Sequence, residues 1–263
     1  MANDTVAPRP SALAQAREWF VCARALFDRD RVLWLGMAAL YLLLGVALRR
    51  IPFVGGLVVV LVSPLLLAGA MLAARDLHAH AGRPARRWQQ SLAQPLRALL
   101  QALADETVTY PALLACIVTL GLVLSAKAIE YLLTGGSLLS GLAAGQLVAA
   151  ARPWTLVAIV LLATLYVLLA MALYFLIPLT VLGGHAVFGA LAASFRACAR
   201  HATALGLFAI GFVVLALAIS LVFELAGGTW LGHLLLFTAG LIALPLFVAG
   251  LYCSYRTVFD SVR

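Results

Sequence analysis

Long apolar runs, separated by short clusters of polar and charged residues, dominate the pattern along the chain. A helix needs about 20 mostly apolar residues to cross a lipid bilayer. Six runs have this character: Val32–Leu48, Pro52–Ala74, Thr107–Ala126, Trp154–Leu182, His201–Phe223 and His233–Tyr255. The pattern therefore predicts an all-α polytopic membrane protein with six transmembrane helices.

The composition supports the same class of protein. Hydrophobic residues make up 65% of the 263 residues and charged residues 11%, whereas charged residues are about 25% of an average soluble domain. A soluble fold of this length would have too little polar surface to cover its apolar residues. Lipid removes that conflict, so the composition excludes a water-soluble domain.

The charge distribution predicts the orientation. With six spans and a cytoplasmic N-terminus, 14 of the 18 Lys and Arg residues lie on the cytoplasmic side, as the positive-inside rule requires. The uncharged stretch 131–151 is a candidate seventh span, but it would reduce that contrast to 10 against 8. Its glycines and hydroxyls suit an interfacial or re-entrant segment better. Both termini are therefore predicted to be cytoplasmic.

A threefold repeat organises the six spans. The motifs PLLLAG, PLTVLG and PLFVAG recur at Pro64–Gly69, Pro178–Gly183 and Pro245–Gly250. Arg75 and Arg256 each follow the first and third prolines by eleven residues. A proline inside a span bends the helix, and a glycine lets a neighbour approach closely. Chance is the alternative, because leucine, proline and glycine are all common in spans.

This repeat predicts a single membrane domain of three related helical hairpins with amphipathic cytoplasmic connectors. Its segments are a cytoplasmic leader 1–31, hairpin 32–76, basic connector 77–106, hairpin 107–183 with outer segment 131–151, connector 184–200, and hairpin 201–263.

Two predicted connectors are amphipathic. In Ser11–Phe27, Leu13, Ala16, Phe20, Ala23 and Phe27 share one helical face, and the leucines of Ser91–Ala104 do the same. Such helices anchor a bundle in the head-group region, or they bind anionic lipid or a partner protein. The candidate anionic-lipid contacts are Arg75, Arg83, Arg86, Arg87 and Arg97.

Charged residues inside a membrane are costly, so each one near a span is a candidate for function. Lys127 and Glu130 are three residues apart at the predicted outer end of the third span, and Glu224 lies at the outer end of the fifth. Their spacing predicts that Lys127 and Glu130 pair on one helical face. That pair is either structural or a site for a solute or a proton.

The remaining reactive side chains indicate no metal, cofactor or enzyme. Cys22, Cys116, Cys198 and Cys253 have no metal-ligand spacing and are predicted to be reduced thiols. His78 and His80 are interpreted as solvated loop residues rather than metal ligands. The sequence contains no GxSxG, HExxH, P-loop or GxGxxG motif. Nucleic acid is not expected as a partner either, because the positive-inside effect explains the basic charge.

The N-terminal region carries a recognisable pattern, W-F…ALF-x-R-x-x-x-L-W-L…IP-x-VG…P-x-L-x-x-G. Its residues are Trp19, Phe20, Ala25–Phe27, Arg29, Leu33–Leu35, Ile51, Pro52, Val54, Gly55, Pro64, Leu66 and Gly69. Over residues 17–76 the chain resembles an uncharacterised family of proteobacterial inner-membrane proteins and, more distantly, the membrane domain fused to some glycerophosphodiester phosphodiesterases. The resemblance implies a bacterial inner-membrane location and no established activity. The phosphodiesterase chemistry does not carry over, because the catalytic domain has no counterpart here.

Three functions are compatible with these features. The first is a non-enzymatic accessory or scaffold protein that binds lipid, a partner membrane complex or a second copy of itself. The second is a transporter or channel for a small or hydrophobic solute, which suits bent, repeated helices. The third, a membrane-embedded lipid enzyme, has no motif to support it.

Overall fold

The computed structural model describes residues 11–51, 55–80, 106–134, 153–225 and 229–259. Over these residues the chain is all-α and contains no strand. The described helices are α1 Ala12–Arg29, α2 Arg31–Arg49, α3 Gly55–Ala79, α4 Glu106–Thr134, α5 Pro153–Tyr174, α6 Leu176–Val181, α7 Val187–Arg200, α8 Ala202–Leu225 and α9 Trp230–Phe259.

Six helical stretches among the described residues are long and apolar enough to cross a membrane, so the six predicted spans are confirmed in this part of the chain. They are Arg31–Leu48, Gly55–Ala79, Thr109–Leu133, Val157–Val181, Ala202–Leu221 and Leu234–Phe259. The chain is a multi-pass membrane protein. Its division into three related hairpins remains a prediction.

The third span is longer than the sequence pattern predicted. Helix α4 does not end before Lys127 but continues for two further turns to Thr134. Residues 131–134 of the predicted outer segment therefore belong to α4, while 135–151 lie outside the described residues. Lys127 and Glu130 form an ion pair in this extension, which offsets part of the cost of placing two charges in an apolar helix.

The helices form two compact units. The first contains α1, α8 and α9, together with α2 up to Leu44, α3 from Ala70 and α7 from Ala197. The second contains α4, α5 and α6, together with the remaining parts of α2, α3 and α7.

Helix α1 is the amphipathic leader helix that the sequence predicted. It begins after Ser11, whose Oγ accepts a hydrogen bond of 3.3 Å from the amide of Ala14, as expected of an N-cap residue. Its apolar face packs on α8 and α9. The face therefore anchors α1 to the bundle, which is the first of the two alternatives considered from the sequence.

The buried face agrees with the predicted one at Ala16 and Ala23 and differs at the other positions. Ala16, Trp19, Ala23 and Leu26 are buried, whereas the predicted Leu13 is 69% exposed and Phe20 is partly exposed. Small side chains at positions 16 and 23 let α1 approach its neighbours closely, and Trp19 and Leu26 fill the space between them. The pattern alone could not distinguish these adjacent faces, because apolar residues occupy both.

An aromatic cluster fills the first unit around Phe208 of α8. Its ring contacts Trp19, Phe20 and Phe212, with centroids 6.0, 4.6 and 5.1 Å away. It also lies directly on Gly250 of α9, where a Cβ atom would come within 2.3 Å of the ring. This glycine of the third motif therefore provides the close approach that was predicted for it.

The three motif prolines have different surroundings. Pro64 lies inside the continuous helix α3 and Pro245 inside the continuous helix α9. Pro178 lies in the short helix α6, just after the chain leaves helical geometry at Phe175. Only the middle motif therefore accompanies an interruption of its span.

Candidate functional site

A buried carboxylate is the centre of the candidate site in the second unit. Glu130 of α4 is only 2% exposed. Its Oε2 atom accepts a hydrogen bond of 2.6 Å from Nζ of Lys127, one turn earlier in the helix. The hydroxyl of Tyr166, on α5, donates a hydrogen bond to the same oxygen. The group therefore connects two spans through one carboxylate.

The Lys127 side chain is the exposed member of this group. It is 52% exposed, and its Nζ lies 5.6 Å from the centroid of the Tyr166 ring, within reach of a cation–π interaction. A long aliphatic stem lets the ammonium extend from an apolar helix while still neutralising a buried charge. The arrangement can hold two helices together, and it can hold a proton or a cationic group at Glu130.

The sequence predicted part of this site. The pairing of Lys127 with Glu130 is confirmed. Both residues lie in the last two turns of the third span, which extends to Leu133. The sequence did not predict the contact with Tyr166, because no spacing pattern connects residues 36 positions apart. Glu224 lies in the last turn of α8, and its candidate role stays a prediction.

The fourth span is interrupted close to the buried segment 175–180. Pro178 has no N–H to donate to the carbonyl four residues earlier, and the helix breaks at Phe175 between α5 and α6. Ser194 of α7 is inserted at this break. Its hydroxyl accepts from the amide of Phe175 at 3.0 Å and donates to the carbonyl of Met171 at 2.8 Å. One side chain thus bridges the two backbone groups that a regular helix would join directly.

Substitution of Ser194 by alanine tests this bridge. The amide of Phe175 and the carbonyl of Met171 would both lose a partner in an environment without water. We expect the free energy of unfolding in mixed micelles to fall by about 1–3 kcal/mol. Ser125→Ala is the matched control, since its exposed hydroxyl only donates to Gly121 of its own helix. A cost for Ser194→Ala no larger than that of the control would show that the bridge does not support the broken span.

A disulfide joins Cys22 of α1 to Cys253 of α9, with the two Cα atoms 6.2 Å apart. The prediction of reduced thiols is therefore wrong for this pair. The cysteines are separated by 231 residues, and only the packing of α1 on α9 brings them together. Cys116 and Cys198 are buried and form no disulfide, as predicted.

Polar contacts surround the same end of the first unit. Nε1 of the buried Trp19 donates to Oγ1 of Thr257 at 2.7 Å, and Arg256 contacts His78 of α3. The guanidinium of Arg29 donates to the carbonyl of Leu77 at 3.3 Å. These contacts connect the ends of α1, α3 and α9.

His78 is a helix residue and not a loop residue, in contrast to the prediction, whereas His80 lies just beyond the end of α3. His78 lies in α3 and packs against Tyr252, with ring centroids 6.2 Å apart. His80 follows the helix and its Nδ1 lies 2.9 Å from the Asp76 carboxylate. Among the described residues, no three His, Cys, Asp or Glu side chains form a group that could hold a metal ion.

Exposed arginines surround this end of the first unit. Arg75 is exposed on α3, and Arg17 and Arg200 are exposed on α1 and α7. Within the described ranges these three arginines take part in no ion pair. The other candidate lipid contacts, Arg83, Arg86, Arg87 and Arg97, lie outside the described residues, as does the helix predicted for Ser91–Ala104.

Comparison with known proteins identifies no relative of this chain: no family model, no curated protein and no solved structure matches it.

Proposed function

We propose that this protein is a non-enzymatic accessory or scaffold protein of a bacterial inner membrane, and that its arginine-rich end binds anionic lipid. The observation that carries the proposal is the placement of Arg17, Arg75 and Arg200 in the first unit. All three are exposed and lie at the end where α1 is fixed to α8 and α9.

The alternation of the spans supports a common membrane side for these arginines. Arg17 precedes the first span, Arg75 lies at the end of the second, and Arg200 precedes the fifth. The positive-inside rule assigns that side to the cytoplasm, where the leaflet carries anionic lipid. Because α1 already uses its apolar face for packing, its outer face remains available to head groups. Arg17 and Arg24 lie on this exposed face.

Lipid retention by the purified protein tests the proposal. The full chain is extracted from native membranes in a mild detergent, and its bound phosphatidylglycerol and cardiolipin are measured by native mass spectrometry. Each arginine near an anionic surface contributes about 1 kcal/mol of attraction. We therefore expect the triple variant Arg17→Gln/Arg75→Gln/Arg200→Gln to bind these lipids on the order of a hundredfold more weakly.

Arg50→Gln is the matched control, because Arg50 is exposed and lies at the opposite end of the first two spans. It should retain the lipid. Equal retention by the triple variant and by the control would contradict lipid binding at this end. Loss of a copurifying protein, with lipid retention unchanged, would instead identify a partner membrane complex as the ligand of the scaffold.

Transport of a small or hydrophobic solute is the second candidate function. It is favoured by the buried Glu130 group and by the interruption of the span at Phe175, because discontinuous helices and intramembrane carboxylates occur at the sites of transporters. Proteoliposomes loaded with a pH-sensitive dye provide a first test for a proton-coupled activity. Proton flux above that of empty liposomes, abolished by Glu130→Gln but not by Ser125→Ala, would favour transport. If the unmodified chain gives only background flux, the result would contradict proton-coupled transport and favour the accessory role.

A further inference from the structure

The Cys22–Cys253 disulfide lies in an interface that noncovalent contacts also stabilise. Helix α1 is held on α9 by the Trp19–Thr257 hydrogen bond and on α8 by the aromatic cluster around Phe208. The disulfide adds a covalent connection between residues near the two ends of the described chain. The disulfide is thus one of several interactions between α1 and the helices it packs on.

The two cysteines differ in exposure. Cys22 is half-buried, and it lies on α1 next to Val21, which is 61% exposed. Cys253 is 2% exposed and lies within the buried segment 249–255 of α9. A dissolved thiolate is therefore expected to approach the disulfide from the side of Cys22.

The difference in exposure matters because of the side of the membrane on which the disulfide lies. Cys22 lies between Arg17 and Arg24 in the leader helix, at the arginine-rich end that the positive-inside rule assigns to the cytoplasm. Cytoplasmic dithiols keep most protein thiols reduced, and disulfides found there are usually transient or redox-sensing. A disulfide with one partly exposed cysteine, on the reducing side of a membrane, is suited to reversible exchange.

We propose that the Cys22–Cys253 disulfide is a reversible redox lock, which holds α1 against α9 when oxidised and releases the N-terminal helix to local opening when reduced. The reductant is a dithiol. One of its thiolates attacks Sγ of Cys22, forming a mixed disulfide and releasing Cys253 as a thiolate. The second thiol of the reductant then attacks the mixed disulfide and releases Cys22. Both protons of the dithiol end on the two cysteines, and the reductant leaves as its own disulfide.

Opening of α1 is the quantity to measure. The full-length protein is placed in nanodiscs of phosphatidylethanolamine and phosphatidylglycerol, and hydrogen exchange of peptides from α1 is followed before and after treatment with dithiothreitol. We expect reduction to expose two additional alkylatable thiols and to accelerate amide exchange in α1 by about tenfold, because a cross-link no longer restricts its local opening. Peptides from α7, an amphipathic helix without a disulfide, should change by less than about twofold. Reoxidation should restore the slow exchange.

Two results would overturn the proposal. The folded protein could resist dithiothreitol until it is denatured, which is the behaviour of a permanent structural disulfide. Alternatively, the disulfide could be reduced with no change in the exchange of α1, which would show that the noncovalent contacts alone hold the helix. The variant Cys22→Ser/Cys253→Ser should exchange like the reduced protein in both buffers. If this variant does not fold, the comparison of the reduced and oxidised forms of the unmodified protein still tests the proposal.

Discussion

Replacement of Trp19 by alanine is expected to lower the free energy of unfolding by about 3–5 kcal/mol, as is usual when a large aromatic side chain is removed from a core. Trp19 has no exposed surface, and it packs edge-to-face on Phe208. Its indole N–H also donates to Thr257. The substitution thus removes a ring, an aromatic contact and a hydrogen bond from the interface that holds α1. Unfolding in mixed micelles, monitored by circular dichroism, measures the effect.

Two further variants separate the causes of this loss. Trp230→Ala removes the same side chain from a position in α9 that is 77% exposed, and it should cost less than about 1 kcal/mol. Trp19→Phe keeps an aromatic ring but removes the hydrogen-bond donor, so it should have an intermediate effect. Equal effects of Trp19→Ala and Trp230→Ala would contradict a core position for the leader helix.

Replacement of Lys127 by methionine is expected to have the second largest effect, a loss of about 3 kcal/mol and a clear fall in the folded yield from detergent. It leaves the buried carboxylate of Glu130 without its cation, and breaking a buried pair from one side typically costs about 3–5 kcal/mol. The lower end of that range applies because the Lys127 side chain is half exposed. Lys127→Arg keeps the charge and should cost much less.

The double variant Lys127→Met/Glu130→Gln distinguishes an ion pair from simple loss of packing. It removes both charges while keeping similar side-chain volumes, and replacement of a whole buried pair is often close to neutral. We therefore expect it to be more stable than Lys127→Met alone, with a favourable coupling energy in the double-mutant cycle. Additive effects of the two substitutions, or equal yields of Lys127→Met and Lys127→Arg, would contradict a structural role for the pair.

The positions of the spans could be predicted because a bilayer selects long apolar helices whatever their neighbours are. The same argument explains why the third span was predicted to end at Ala126, whereas the apolar helix continues to Leu133. A charged residue considered alone ends a predicted span. Lys127, however, pairs with Glu130 one turn away, and Glu130 also accepts a hydrogen bond from Tyr166, so the apolar helix can continue past them. The break at Phe175 was also not predicted, since proline occurs equally in the continuous helices α3 and α9. What distinguishes it in the structure is the Ser194 hydroxyl, which comes from another helix.

The sequence by itself determined that the chain is a six-span helical membrane protein, that an amphipathic helix begins after Ser11, and that Lys127 and Glu130 pair. These are local properties, set by the length and periodicity of apolar runs and by the spacing of neighbouring side chains. Only the tertiary structure decided which face of α1 is buried, that Tyr166 completes the carboxylate site, and that Cys22 is bonded to Cys253. These features depend on contacts between residues that are far apart in the chain. Helix packing brings those residues together, and their spacing in the sequence does not predict it.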